Sequence, residues 1–129
     1  VGAEEHLGRL ALGDLPEAEE TLRRAQETGV DPGFAAFQRG RVQFAWRDWI
    51  EALERYEEAL ELGSPRVPVR DIHFEMATCH INLEEYPEAL DHLEKSLLPG
   101  ERAAPVSFYR GVCALGEGRV ASALALFRE

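Results

Sequence analysis

The stretch DWIEALERYEEALELGSP, residues 48–65, returns in similar form three more times along the chain. The related stretches are DLPEAEETLRRAQETG at 14–29, EYPEALDHLEKSLLPG at 85–100 and RVASALALFRE at 119–129. Each contains an alanine, at Ala18, Ala52, Ala89 and Ala123, and the intervals between them are 34, 37 and 34 residues. Internal repeats with a period of roughly 20–50 residues are typical of stacked arrays. The repeat is therefore the feature that determines the fold.

The residues around each alanine are spaced as on one face of a helix. A large apolar residue follows the alanine four positions later, and in three copies a small residue follows three positions after that. The large residues are Leu22, Tyr56, Leu93 and Phe127, and the small ones are Ala25, Ala59 and Ser96. We expect the small residues to let a neighbouring helix approach closely, and the large residues to fill the space beside them.

The first three copies also begin as helices begin. Asp14, Asp48 and Glu85 are each followed by a glutamate three residues later, which is the pattern of a capping box. Pro16 and Pro87 lie where the first turn is expected, and a proline costs little there because that N–H has no partner within the helix.

A second kind of helix precedes each of these. The segments FAAFQRGRVQFAW at 34–46, DIHFEMATCHINL at 71–83 and PVSFYRGVCALGE at 105–117 align with Phe37, Phe74 and Phe108 in equivalent places. Each repeat is therefore predicted to be a helix pair with a tight turn, and such a pair must stack on its neighbours to bury its apolar faces. No alternation of period two suggests a strand.

A 34-residue period of helix pairs, with an alanine and a large residue four positions on, resembles the tetratricopeptide repeat family. The second helices match the family pattern well, whereas Ala36, His73 and Ser107 stand where its first helix has a tryptophan. The resemblance implies an all-α fold, a right-handed α-solenoid of stacked antiparallel helix pairs, with about 3.75 repeats and about seven or eight helices. A single array would span 1–129, with approximate repeats 1–32, 33–66, 67–101 and a truncated 102–129.

The resemblance also implies a binding face. In this family the first helices line a concave groove that holds extended or helical peptides, and the corresponding residues here form a largely apolar stripe. The predicted partner-binding residues are Phe34, Phe37, Gln38, Arg41, Phe44, Asp71, Phe74, Thr78, Ile81, Asn82, Phe108, Tyr109, Val112 and Leu115. Aromatic residues in a desolvated groove are the usual hot spots of binding. The alternative is that these aromatic residues only pack repeat against repeat.

One variant of the family grips a C-terminal carboxylate with lysine and asparagine side chains from successive first helices. The corresponding places in this chain hold phenylalanines and then Arg41, Thr78 and Val112. That clamp is absent, so the C-terminal tail of a chaperone is not the expected partner.

Composition excludes several classes of function. The 129 residues carry a formal net charge of −10, from 24 acidic and 14 basic residues, whereas nucleic-acid binding needs a basic face. No apolar run reaches the roughly 18–20 residues of a membrane span. The chain lacks an initiator methionine and ends inside a helical pattern, so we expect a piece of a longer protein. Its excess of arginine over lysine suggests a bacterial source.

No residues are arranged as a catalytic, metal or cofactor site. His73 and His80 are seven apart, too far for chelation at the usual spacing of four, and no nucleophile with its base, phosphate loop or pair of catalytic carboxylates stands out. Cys79 and Cys113 occupy equivalent places in successive repeats, too far apart for a disulfide, so we predict free, buried thiols. For Arg39 and Arg110 we favour contacts with glutamates of the adjacent helix over contacts with an acidic partner.

These observations predict a cytoplasmic protein-interaction scaffold that binds a peptide or helix of another protein and has no enzymatic activity. One alternative is self-assembly through the terminal helices, since the last helix, ASALALFRE, has no polar capping helix after it. Another is a regulatory arm of a larger enzyme or transcription regulator.

Overall fold

A computed structural model describes residues 14–97 and 104–128. Within these ranges the chain forms seven helices and no strand, which confirms the all-α prediction. The helices are α1 (Leu15–Thr28), α2 (Pro32–Ala45), α3 (Trp49–Leu62), α4 (Val69–Asn82), α5 (Tyr86–Lys95), α6 (Ala104–Gly116) and α7 (Val120–Phe127). The chain divides into two compact units, an N-terminal unit of Val1–Ile72 and a C-terminal unit of His73–Glu129.

The four repeat alanines lie in the core, as their spacing predicts. Each of Ala18, Ala52, Ala89 and Ala123 is buried to within one per cent of complete. Of the three small residues that follow them, Ala59 and Ser96 are buried but Ala25 is exposed. The spacing therefore predicts the buried face correctly except at Ala25, near the end of α1, where none of the described residues packs over the side chain.

In the N-terminal unit, α1 packs on α2 through a cluster of Leu15, Ala18, Leu22 and Val42. The next pair, α2 and α3, is in close contact at Gly40. A Cβ placed on Gly40 would lie 2.5 Å from the ring of Tyr56, so the ring occupies the space that a side chain would need. This contact joins a small residue of a first helix to the large residue of the helix that follows it.

The C-terminal unit repeats this contact. A Cβ on Gly111 of α6 would lie 2.5 Å from the ring of Phe127 on α7. The core of the unit consists of Ala77, Ala89, Leu93, Val106 and Cys113, with Phe74, Ile81, Tyr86, Leu90, Leu97 and Tyr109 partly buried against it. In both units a glycine of a first helix thus packs directly against an aromatic ring of the helix that follows it.

The turns inside the helix pairs share one backbone conformation. Their central residues Arg47, Glu84 and Gly118 have φ angles of 61°, 60° and 82°, in the left-handed region. The N–H of the central residue donates to the carbonyl three positions earlier, and the N–H of the next residue donates to the carbonyl five positions before itself. The bonds are Arg47 to Phe44, Asp48 to Gln43, Glu84 to Ile81, Glu85 to His80, Gly118 to Leu115 and Arg119 to Ala114, at 2.8–3.0 Å. These bonds satisfy carbonyls at the end of the first helix.

The predicted capping boxes are only partly present. The carboxylate of Asp48 accepts from the N–H of Glu51 at 3.2 Å, as predicted. Asp14 makes no such bond, because its backbone is already helical (φ −93°, ψ −6°) rather than extended. Glu85 makes none either, and its carboxylate instead contacts Nδ1 of His80 at 2.9 Å. The prolines Pro16 and Pro87 do lie in first turns.

The longest interval of the repeat, 37 residues, contains a loop that folds back on α2. Its Ser64 hydroxyl donates to the carboxylate of Asp31 at 3.1 Å, while the other oxygen of Asp31 caps α2 by accepting from the N–H of Phe34 at 3.2 Å. The guanidinium of Arg66 lies 4.0 Å from the centre of the Phe34 ring. One carboxylate therefore joins the start of α2 to the end of α3.

Candidate protein-interaction surface

In the N-terminal unit, the predicted binding residues on α2 are mostly engaged within the unit. Phe34 and Gln38 are buried, and Phe37 is half-buried with its ring 5.6 Å from that of Tyr56. The half-buried ring of Phe44 lies edge-on to Trp49 at 5.0 Å. Among the predicted binding residues on α2, Arg41 is the exposed one, and it donates to the amide oxygen of Gln38 at 3.2 Å.

Asp71, the remaining predicted binding residue of the N-terminal unit, is exposed near the start of α4. Its carboxylate lies in the first turn, where negative charge is favourable because the helix dipole is positive there.

In the C-terminal unit, the predicted residues on α4 are partly covered. Phe74 is half-buried, with its ring edge-on to that of Tyr109 at 5.5 Å. Thr78 donates its hydroxyl to the carbonyl of Glu75 at 2.7 Å, and exposed Asn82 donates to the carbonyl of Thr78 at 2.8 Å. Ile81 is half-buried. The polar side chains of this face are therefore held by their own helix, with acceptor capacity left on Asn82.

The residues on α6 form the most accessible apolar part of the predicted face. Phe108 is 54% exposed and Leu115 is 52% exposed, while Val112 is half-buried. The ring of Phe108 lies 5.5 Å from both Tyr109 and Phe127. These contacts fix the direction of the Phe108 ring and leave more than half of it available to another molecule.

Further exposed apolar side chains on α7 were missed by the predicted binding set. Val120, Leu124 and Phe127 are each about half exposed. Together with Phe108 and Leu115 we call them the C-terminal apolar residues. The sequence does indicate this exposure. The helix VASALALF contains no charged residue, and it has more large apolar residues than one buried face can cover.

The repeat itself decides the family. The family model described as tetratricopeptide repeat matches residues 37–107, which is more than half of the chain. The chain belongs to the tetratricopeptide repeat family. A comparison with curated proteins found no match.

Two solved structures of MamA have folds similar to this tetratricopeptide repeat chain. The structure titled "MamA RS-1 ArsTM double mutant" has a TM-score of 0.79 at 17% sequence identity, and the match covers 98% of this chain and 67% of that one. The structure titled "Crystal structure of MamA" has a TM-score of 0.72 at 19% identity, covering 88% of this chain and 65% of that one. The chain thus spans about two thirds of the length of each. At these identities the likeness shows the fold.

Two arginines of the first helices form ion pairs with the second helix of the preceding repeat. Arg39, which stands where the family has an apolar residue, donates to the carboxylate of Glu19 and to the amide oxygen of Gln26, each at 2.8 Å. Arg110, in the equivalent place, binds the carboxylate of Glu94. Both arginines therefore contact glutamates of the adjacent helix, in agreement with the interpretation that we favoured.

Both cysteines of this tetratricopeptide repeat chain are free and buried, which confirms the prediction. Burial raises the pKa of the Cys79 thiol to about 12 and that of Cys113 to about 11. Thiolate is the reactive form of cysteine, so these side chains serve as small apolar residues of the core rather than as nucleophiles.

Neither a metal site nor a membrane span is present among residues 14–97 and 104–128. No group of three or more histidine, cysteine, aspartate and glutamate side chains in these ranges is placed to hold a metal ion. None of the described helices combines the length and the hydropathy needed to cross a bilayer.

Proposed function

We propose that the chain is a non-catalytic scaffold that binds a peptide or helical segment of another protein through its first helices. The observation that supports this best is Phe108, an aromatic side chain on the predicted binding face that is more than half exposed. A large apolar side chain gains free energy when a partner removes it from water, at about 25 cal/mol per Å². Membership of a family of interaction repeats points the same way.

The surroundings of Phe108 support a role as an anchor. Its edge-on neighbour Tyr109 and its contact with Phe127 limit the rotamers that it visits, so little side-chain entropy is lost when a partner binds. The net charge of −10 favours a protein partner of some basic character over nucleic acid. We place this role in the cytoplasm of a bacterium, where reducing conditions keep thiols such as Cys79 free.

Replacing Phe108 by aspartate tests the proposal. The variant is expected to lose capture of the partner from lysate by at least about tenfold, the usual result of removing an aromatic hot spot. The matched control is Val30→Asp, which adds the same charge at an apolar position that is 86% exposed and lies outside the predicted face. Circular dichroism melts establish that both variants are folded. Equal capture by wild type, Phe108→Asp and Val30→Asp would contradict the proposal.

A second candidate function is self-association, favoured by the C-terminal apolar residues. If these side chains join copies of the chain, the weight-average sedimentation coefficient of wild type should rise with concentration, and Leu124→Glu should abolish the rise. Leu62→Glu, at an equally exposed position in the N-terminal unit, should leave it unchanged. A wild-type chain that remains monomeric up to high concentration would exclude this candidate and leave the peptide-binding role in place.

A further inference from the structure

Three histidines of the C-terminal unit lie together, although the sequence separates them. His73 and His80 are two turns apart on α4, and His92 of α5 lies against both. The ring of His92 stacks on that of His73 with centroids 5.2 Å apart and on that of His80 with centroids 5.3 Å apart, at interplanar angles of 24° and 7°. We call these three residues the histidine cluster.

The contact between His73 and His92 is sensitive to protonation. Their Nδ1 atoms are 3.0 Å apart, which is a hydrogen bond only if one nitrogen carries a proton and the other accepts it. Two neutral rings satisfy this requirement, and so does one neutral ring with one cation. Two cations do not, because both Nδ1 atoms then carry a proton and the N–H groups point at each other.

Several charged groups face the cluster from the elements around it. On α5, Asp91 and Lys95 form an ion pair at 2.9 Å close to His73 and His92. At the turn between the helices, the carboxylate of Glu85 lies 2.9 Å from Nδ1 of His80. The carboxylate that acts on His73 and His92, that of Asp91, is therefore shared with a lysine.

The electrostatics agree with the geometry. Burial lowers the pKa of His92 to about 4, with a further lowering from the charges of His73, His80 and Lys95 that outweighs the opposite effect of Asp91. Burial also lowers the pKa of His73, with Lys95 adding to the effect and Asp91 opposing it. The folded chain thus holds both rings neutral at a pH where an exposed histidine would already carry charge.

We propose that the α4–α5 pair is a proton-sensitive element of the fold: protonation of His73 and His92 is disfavoured while α5 stays packed on α4, so release of α5 becomes increasingly favourable as the pH falls below about 6.5. This inference is independent of the proposed binding role. Opening of this pair would also expose the core residues Ala89 and Leu93, which α5 contributes to the C-terminal unit.

The direction in which stability changes with pH follows from proton linkage. Between about pH 6.5, where a histidine of the unfolded chain titrates, and about pH 4 for His92 in the folded chain, the unfolded state binds more protons. Stability is therefore fully present above pH 6.5 and is lost as the pH falls towards 4. For His92 alone, the unfolding equilibrium constant is expected to rise roughly twentyfold between pH 7 and pH 5.

The test compares urea unfolding of wild type, His92→Gln and His6→Gln at a series of pH values from 7.5 to 4.5. His6 lies outside the described residues and outside the cluster, so its variant controls for the loss of one titrating histidine. Between pH 7 and pH 5, we expect the unfolding equilibrium constant of wild type to rise about twentyfold more than that of His92→Gln. We expect His6→Gln to follow wild type. Parallel pH dependence in wild type and His92→Gln would overturn the proposal.

A second measurement keeps the test decisive if the glutamine variant folds poorly. Imidazole nitrogen resonances of the folded wild-type chain, followed by nuclear magnetic resonance through the same pH range, should show His92 neutral at pH 5. In His73→Gln, the titration of His92 should move to higher pH because one repelling charge has been removed. An ordinary titration of His92 near pH 6.5 in the folded wild-type chain would refute the proton-sensitive element.

Discussion

Replacing Tyr56 by alanine is expected to lower the free energy of unfolding by about 3–5 kcal/mol. Tyr56 is fully buried, with its ring against the backbone of Gly40 and 5.6 Å from the ring of Phe37. Glycine has no side chain that could turn into the space left by the ring. The cavity would therefore stay largely open, and cavities that cannot collapse give losses at the upper end of the range. Urea unfolding followed by circular dichroism measures the effect.

The control for this variant lies on the same helix. Ile50 is 63% exposed on α3, so Ile50→Ala removes apolar side chain that is already in contact with water, with an expected change within about 0.5 kcal/mol. A loss for Tyr56→Ala as small as that of Ile50→Ala would show that the Gly40–Tyr56 contact does not hold the α2–α3 pair together.

Adding a single methyl group at Gly33 is expected to destabilise the chain by about 3 kcal/mol. A Cβ at this position would lie 2.0 Å from the carbonyl oxygen of Gly63 and 2.6 Å from its carbonyl carbon. Both are backbone atoms, so no rotamer change relieves the clash, and the start of α2 must move away from the end of α3. Alanine in place of a helical glycine otherwise stabilises by about 0.5–1 kcal/mol. A loss of stability in Gly33→Ala would therefore indicate the clash, and a gain would indicate that the clash is absent.

Gly63→Ala is the matched control, because it alters the other member of the same contact. Gly63 has a φ of 71°, and a Cβ built on it meets no atom within 4 Å. Because its ψ is 155°, a combination with positive φ that is essentially restricted to glycine, its alanine variant should lose about 1–3 kcal/mol from backbone strain alone. If Gly33→Ala were as stable as wild type in thermal unfolding, the close approach of these two backbones would not exist.

The helix pairs could be predicted from the sequence because the residues that make them repeat. Ala52 and Tyr56 recur as Ala89 and Leu93, and residues that are four apart lie on the same face of a helix. Exposure could not be predicted in this way. Phe37 and Phe108 occupy equivalent places in the sequence, yet Phe37 is half-buried against Tyr56 while Phe108 is more than half exposed. A repeat fixes the position of a side chain on its helix, and the neighbours in space decide whether water reaches it.

The histidine cluster shows a second limit of the same kind. His73 and His80 lie two turns apart on one helix, a separation too long for the two of them to chelate a metal. His92 comes from the next helix, 12 residues after His80, and its place between them depends on how the two helices cross rather than on any spacing along either one. The cap at Asp31 has a different cause, because Asp31 caps a first helix and is followed three residues later by Phe34 rather than by a glutamate.

The turns centred on Arg47, Glu84 and Gly118 have a consequence for how such a chain can change over time. The bonds that reverse the chain at these places join main-chain groups only, so they make no demand on the side chains. Two of the three turns even accept a charged residue in a conformation that glycine adopts more readily. Mutations there can accumulate without shifting one helix of a pair relative to the other, and a duplicated helix pair carries its own connection with it.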